Sequence, residues 1–135
     1  MSIVIKFKKL VPEAKLPTKG KPGDAAYDLY CIEKVALGPG ETVKVKTGLQ
    51  LAYMTPEEGE DFLFLQIEGR SGIASNGVYP VGGIVDSGYR GEIQVILHNG
   101  NQFQQKYHFH SGDRIAQIIL RRTPKDVVLE ETEEV

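Results

Sequence analysis

Hydrophobic and polar residues alternate along this chain in short stretches. Ile3, Ile5 and Phe7 alternate with Val4, Lys6 and Lys8, as on a strand with one buried face. Residues 41–47, ETVKVKT, repeat the pattern after the turn signal Gly38-Pro39-Gly40. Residues 61–67 (DFLFLQI) and 91–98 (GEIQVILH) are denser in apolar and β-branched residues, which suits strands near a core. Asn99-Gly100-Asn101 then predicts a hairpin. Ser111-Gly112-Asp113 predicts a further turn, with another strand over residues 114–120, RIAQIIL.

A sustained helical period over about 11 residues, the usual helix length, is absent. Ser71 to Asn76 offers about one helical turn. Many short strands punctuated by fifteen Gly and seven Pro predict an all-β sandwich, jelly roll or barrel.

Composition narrows the classes. At 135 residues the chain suits one domain. Sixteen basic against eighteen acidic residues give a net charge of -2, which argues against a protein that coats nucleic acid. The charge is unevenly placed: +4 over residues 1–50 and -4 over residues 124–135, the latter read as a solvated end. A single cysteine, Cys31, excludes an internal disulfide and is expected to be a small core residue. No apolar run approaches the ~18 residues of a membrane span, and MSIVIKFKKL reads as a strand rather than a signal peptide. The expectation is a soluble, intracellular protein without membrane or direct nucleic-acid partners.

Four polar clusters sit beside turns, where an all-β scaffold displays its working groups. In GDAAYDL, Asp28 stands between apolar neighbours, and alone would read as a turn cap. In GRSGIAS, Arg70, the Ser71 hydroxyl and the amides from Gly72 onward could hold phosphate oxygens; a structural turn with a surface Arg is an equal alternative. In GGIVDSGYRGE, two glycines permit close backbone approach to a ligand or a bulge, and Asp86 is held after an apolar pair with Tyr89 three residues on. A plain hairpin turning at Ser87-Gly88 is the alternative there. In GDRIAQ, Gln117 is expected to face opposite its apolar neighbours.

In this order the clusters resemble the four motifs of the homotrimeric dUTP diphosphatase (dUTPase) family: AAYDL, GRSGIAS, GGIVDSGYRGEI and GDRIAQIIL, from about Leu10 to Glu131. The resemblance implies a jelly-roll-like β-barrel (a β-clip) in a three-fold trimer, with sites between subunits. It implies cleavage of dUTP, with Mg²⁺, into dUMP and pyrophosphate by water attack on the α-phosphorus. By motif position, Asp86 would be the general base and would receive the sugar 3′-hydroxyl. Tyr89 would lie against the deoxyribose and exclude ribonucleotides. Backbone groups around Gly83 and Val85 would pair with the uracil edge. Arg70, Ser71 and Gly72 from a neighbouring subunit would hold the phosphates together with Gln117, and Asp28 would place the metal through water.

Residues 1–125 would form the domain. Residues 126–135 would lead to a Gly-rich closing arm that this chain does not contain. The chain departs from the family pattern at Gly69, where Pro is usual, at Ala26, where Gly is usual, near Pro80, and in a linker from Arg70 to Asp86 about one residue short. Two other readings remain on the same scaffold. A dCTP deaminase would need a catalytic Glu, for which Glu92 is the nearby candidate. A nucleotide-binding regulatory protein would turn over weakly.

Overall fold

The computed structural model describes residues 2–55, 61–101 and 105–135. Ten strands and one helical turn follow one another: β1 (Ile5–Lys9), β2 (Tyr27–Tyr30), β3 (Val35–Leu37), β4 (Thr42–Met54), β5 (Asp61–Glu68), α1 (Ser71–Ala74), β6 (Val78–Pro80), β7 (Ile84–Asp86), β8 (Glu92–Asn99), β9 (Tyr107–Phe109) and β10 (Arg114–Pro124). Two four-stranded sheets run in the orders β1-β4-β8-β6 and β2-β10-β5-β7, and β3 pairs with β9. Every pairing is antiparallel. The fold is the expected all-β, jelly-roll-like one, although the described ladders stay separate, so packing rather than continuous hydrogen bonding joins the sheets.

Alternation explains the core. Along β8, Ile93, Val95, Leu97 and Asn99 are buried while the residues between them are half-buried. Ile93, Val95 and Leu97 meet Leu65 and Ile67 of β5 in one apolar cluster. In β4 the alternation is interrupted at Thr47, Gly48 and Leu49, all buried, where the register against β8 slips between Lys46 and Gln50. Gly48 has φ +69°, and a Cβ there would stand 2.9 Å from the Cβ of Ala14. The Thr47 hydroxyl donates to the Ile93 carbonyl at 2.6 Å and accepts from the Leu49 amide at 3.2 Å. The bulge therefore leaves its buried hydroxyl satisfied.

The predicted hairpin at Asn99-Gly100-Asn101 does not form: β9 pairs with β3 and not with β8. Asn99 is fully buried, and its Nδ2 donates to the carbonyls of Leu37 and Gln105 at 2.8 and 2.9 Å. The Asn is a tie between segments. Gln117 does face away from its buried neighbours, for a reason alternation alone does not supply. A register slip between Arg114 and Ala116 lets Ile115 and Ala116 both turn inward, which resets the phase before Gln117. Cys31 is buried, with its thiol 3.1 Å from the His110 carbonyl. Among the described residues no helix is long and apolar enough to cross a membrane.

Candidate active site

The third cluster builds one wall of a cleft of about 380 Å³, lined among others by Gly83, Ile84, Asp86, Tyr89, Gln94 and Ile96. Its origin lies in a turn without a ladder. The Tyr89 amide donates to the Asp86 carbonyl at 3.0 Å, closing a four-residue turn, and Arg90 caps it with a 2.8 Å bond to the Ser87 carbonyl. The expected hairpin partner of β7 would be β8, but β7 pairs with β5 as the last strand of its sheet. The two strands therefore splay apart, one into each sheet.

Among the described residues, their facing edges carry backbone groups outside any ladder. The Ile67 amide donates to the Gly83 carbonyl at 2.7 Å, and Val85 pairs with Leu65. Backbone groups alternate in direction along a strand, so those of Ile84 point to the free edge. Opposite, the Val81 amide donates to the Ile96 carbonyl at 2.8 Å. The groups of Gln94 point the same way, beyond the last residue of β6, into the cleft. Among the backbone groups around Gly83 and Val85, the Gly83 carbonyl and the Val85 backbone are thus engaged with β5, and those of Ile84, with Gln94 opposite, face the cleft. The motif places Gly83 for another reason. It has φ +130°, and a Cβ would come within 2.8 Å of the Ile67 carbonyl, so only glycine fits.

Tyr89 is fixed as a second wall. Its hydroxyl donates to the Glu92 carbonyl at 3.1 Å, and a Cβ on Gly91 would lie 2.5 Å from that hydroxyl. Asp86 is exposed at the end of β7, directly after buried Val85.

The other predicted residues gather elsewhere. Asp28 on β2 sits opposite Gln117 on β10. Arg70 Nε donates to Asp28 Oδ1 at 3.1 Å, and Arg114 Nε stands 3.8 Å from Oδ2. Gln117 Nε2 donates to the Gly69 carbonyl at 2.9 Å, holding the segment from which Arg70 and α1 depart. Ser71 and Gly72 are exposed, with open space over Gly72. Arg70 and Arg114 also line an open polar cleft with Lys15 and His108.

The two groups are far apart within one chain. Asp28, Gln117 and Glu68 share one row of the sheet, and Asp86 pairs with Phe64, four residues back along β5. Three strand spacings and four residue steps separate Asp28 from Asp86 by about 20 Å.

Asp28, expected to place a metal through water, does not stand as a free carboxylate. Both carboxylate oxygens face guanidinium groups, so its charge is already met. Among the described residues no group of three or more His, Cys, Asp or Glu is placed to hold a metal ion. Arg114 and Gln94 escaped the sequence reading. Arg114 stands inside the fourth motif, three residues before Gln117. Gln94 acts through its backbone and so carries no residue-type signal.

Comparison with known proteins gives one answer. The sequence pattern of the dUTPase family matches residues 12–135. A deoxyuridine 5′-triphosphate nucleotidohydrolase of Clostridioides difficile is 38% identical over 135 residues, covering 96% of this chain and 87% of that protein. The cowpox virus protein of the same name is 36% identical over 118 residues, covering 87% of this chain and 75% of its own. Among solved structures, the dUTPase of Staphylococcus bacteriophage 80alpha superposes with a TM-score of 0.79 at 23% identity, over 98% of this chain and 97% of that one. A dUTPase of phage phi11, described with a structural Mg(II) ion, gives 0.77 at 23% identity over 97% of this chain and 99% of that one. Both are likenesses of fold.

Proposed function

The chain belongs to the dUTPase family, and on that premise we propose how its residues divide the work. The protein hydrolyses dUTP to dUMP and pyrophosphate. Asp86 is the general base: it takes a proton from water as the water oxygen bonds to the α-phosphorus, and the bond from that phosphorus to the bridging oxygen breaks to release pyrophosphate. A carboxylate held by a closed turn suits this role, which contributes ~10²–10⁴-fold in rate.

The nucleoside lies in the cleft between β7 and β8. Its base meets the edge groups of Ile84 and Gln94 much as a strand would. The ring of Tyr89, packed over Gly91, blocks a sugar carrying a 2′-hydroxyl. Arg70, Ser71 and Gly72 hold the phosphates, and Gln117 fixes the segment that carries them.

The observation that carries this reading is that Asp28 and Asp86 stand on opposite edge strands of one sheet, four residue steps apart in register, about 20 Å on ideal strand spacings. A base and the cations gripping the same phosphate chain must meet within a few ångströms of one phosphorus. Asp86 of one chain therefore works with Arg70 of another, which supports sites between subunits, as in the homotrimer that the family resemblance implies. When bound, Mg²⁺ would supply positive charge to the triphosphate; among the described residues no three His, Cys, Asp or Glu gather to hold it.

The test is pyrophosphate release from dUTP, dCTP and UTP with Mg²⁺ by the wild type and Asp86→Asn. The expected result is dUTP-selective release, cut at least 100-fold by the substitution with dUTP binding retained. Ammonia release from dCTP would instead establish a deaminase, and binding without turnover a regulatory protein.

A further inference from the structure

Lys44 lines the same cleft as Asp86 and Tyr89, and is the only cation among the described residues lining it. Its place follows from register. On β4, Lys44 pairs with Ile96 of β8, and Lys46 with Gln94. Val45 between them is buried, so both lysines stand on the outer face of the sheet. Ile96 is where β8 is still tied to the segment after β6, its carbonyl accepting from the Val81 amide. Glu92, bonded by the Tyr89 hydroxyl, lies at the other end. The four residue steps from Glu92 to Ile96 span about 13 Å, giving the cleft a sugar end at Tyr89 and a far end at Lys44. Among the described residues Lys44 makes no hydrogen bond, ion pair or ring contact.

We infer that Lys44 is a specificity-determining residue that reads the C4 substituent of the pyrimidine. The inference rests on the nucleoside occupying the cleft as argued above. C4 lies across the ring from N1, which carries the sugar, so with the sugar against Tyr89 the C4 substituent points toward the far end. In uracil that substituent is a carbonyl oxygen, an acceptor. In cytosine it is an amino group, a donor. An ammonium is donor only: it completes a charge-assisted bond to the first and confronts the second with an unpaired donor. Edge groups of Ile84 and Gln94 each offer both a donor and an acceptor, so the lysine adds a sign that the backbone alone does not. The neighbouring C5 position is untouched, so Lys44 does not discriminate against the thymine methyl.

The test compares kcat/KM for dUTP, dCTP and dTTP in the wild type, Lys44→Met and Lys44→Arg. Lys44→Met keeps the aliphatic stem of an exposed residue and removes the charge. Its dUTP-over-dCTP preference is expected to fall about 10- to 100-fold, chiefly through KM for dUTP. Its dUTP-over-dTTP ratio should stay unchanged, and Lys44→Arg should restore most of the preference. An unchanged dUTP-over-dCTP ratio in Lys44→Met overturns the inference while leaving dUTP hydrolysis intact. Equilibrium binding of dUMP and dCMP to the same variants reads the base end without turnover. Loss of the dUMP preference in Lys44→Met supports the inference even if the proposed chemistry fails, and equal preference sinks it even if the chemistry holds.

Discussion

Replacing Asp28 with Asn separates two roles that one carboxylate could serve, holding guanidinium groups or holding a metal. The structure favours the first. Asp28 is 13% exposed and stands 3.1 Å from Arg70, whose side chain is 30% exposed. Arg114 is farther, at 3.8 Å, and 52% exposed. A hydrogen bond to a charged group is worth about 1.5–3 kcal/mol, and partial exposure places the Arg70 pair near the lower end, at about 1–2 kcal/mol. The Arg114 pair, open to solvent, contributes no more than about 0.5 kcal/mol. Asn keeps an acceptor but not the charge, so Asp28→Asn should cost about 1 kcal/mol of stability. It should also lower kcat/KM for dUTP about tenfold, because the guanidinium is no longer fixed. Urea denaturation of Asp28→Asn, Arg70→Gln, Arg114→Gln and the two double variants gives the coupling energies. Asp28 should couple to Arg70 more strongly than to Arg114. The rate defect of Asp28→Asn should be unmoved by a tenfold excess of Mg²⁺. Equal coupling to both arginines, or recovery of the rate with added Mg²⁺, would refute the assignment.

Two further outcomes follow from backbone and burial. Gly83→Ala forces a Cβ to within 2.8 Å of the Ile67 carbonyl at φ +130°, so thermal unfolding should show a loss of about 2 kcal/mol or more, with weakened dUMP binding from the displaced β7. Burial pushes the Cys31 thiol above its ordinary 9.0, outweighing backbone hydrogen bonds that act the other way. Its contribution to stability is therefore complete below pH 9.0 and is lost as the pH rises above it, since the unfolded chain then binds fewer protons. Thiol labelling at pH 8 should be slow in buffer and fast in denaturant; fast labelling of the folded protein would contradict this burial.

Much of this was legible in the sequence because period-two alternation is a direct record of which face is buried. The strands around Ile5, Val45, Leu65, Val95 and Ile118 follow it, and Ser71 begins the single helical turn expected. What alternation hides is any residue that changes phase. Gly48 and Ile115 do so through bulges, which depend on tertiary contacts such as those of Ala14 with Gly48. Asn99 carries the residue type of a turn, yet it is buried, its amide tying the distant Leu37 carbonyl to the nearby Gln105 carbonyl. Within the candidate site, Asp86, Tyr89 and Arg70 were legible through the order of the four motifs, their residue types alone leaving a plain turn or hairpin open. The groups of Ile84 and Gln94 were not, because every residue has the same backbone and only strand pairing decides where it points. The metal role of Asp28 came from motif position alone, and nothing in the sequence signalled the two distant arginines that its carboxylate faces.

The splayed edges of β7 and β8 have a bearing on the life of the molecule outside catalysis. Rows of unsatisfied amide and carbonyl groups are templates on which strands of other molecules can zip up. An empty cleft is thus a weak point for self-association in a crowded refolding mixture. The chain limits the hazard by keeping β7 to three residues and by setting Pro80, Gly82 and Gly83 beside it, residues that extend a ladder poorly. A seated nucleoside would blunt both edges at once. Nucleotide supply would then govern how much of the protein stays dispersed and folded as well as how fast it turns over.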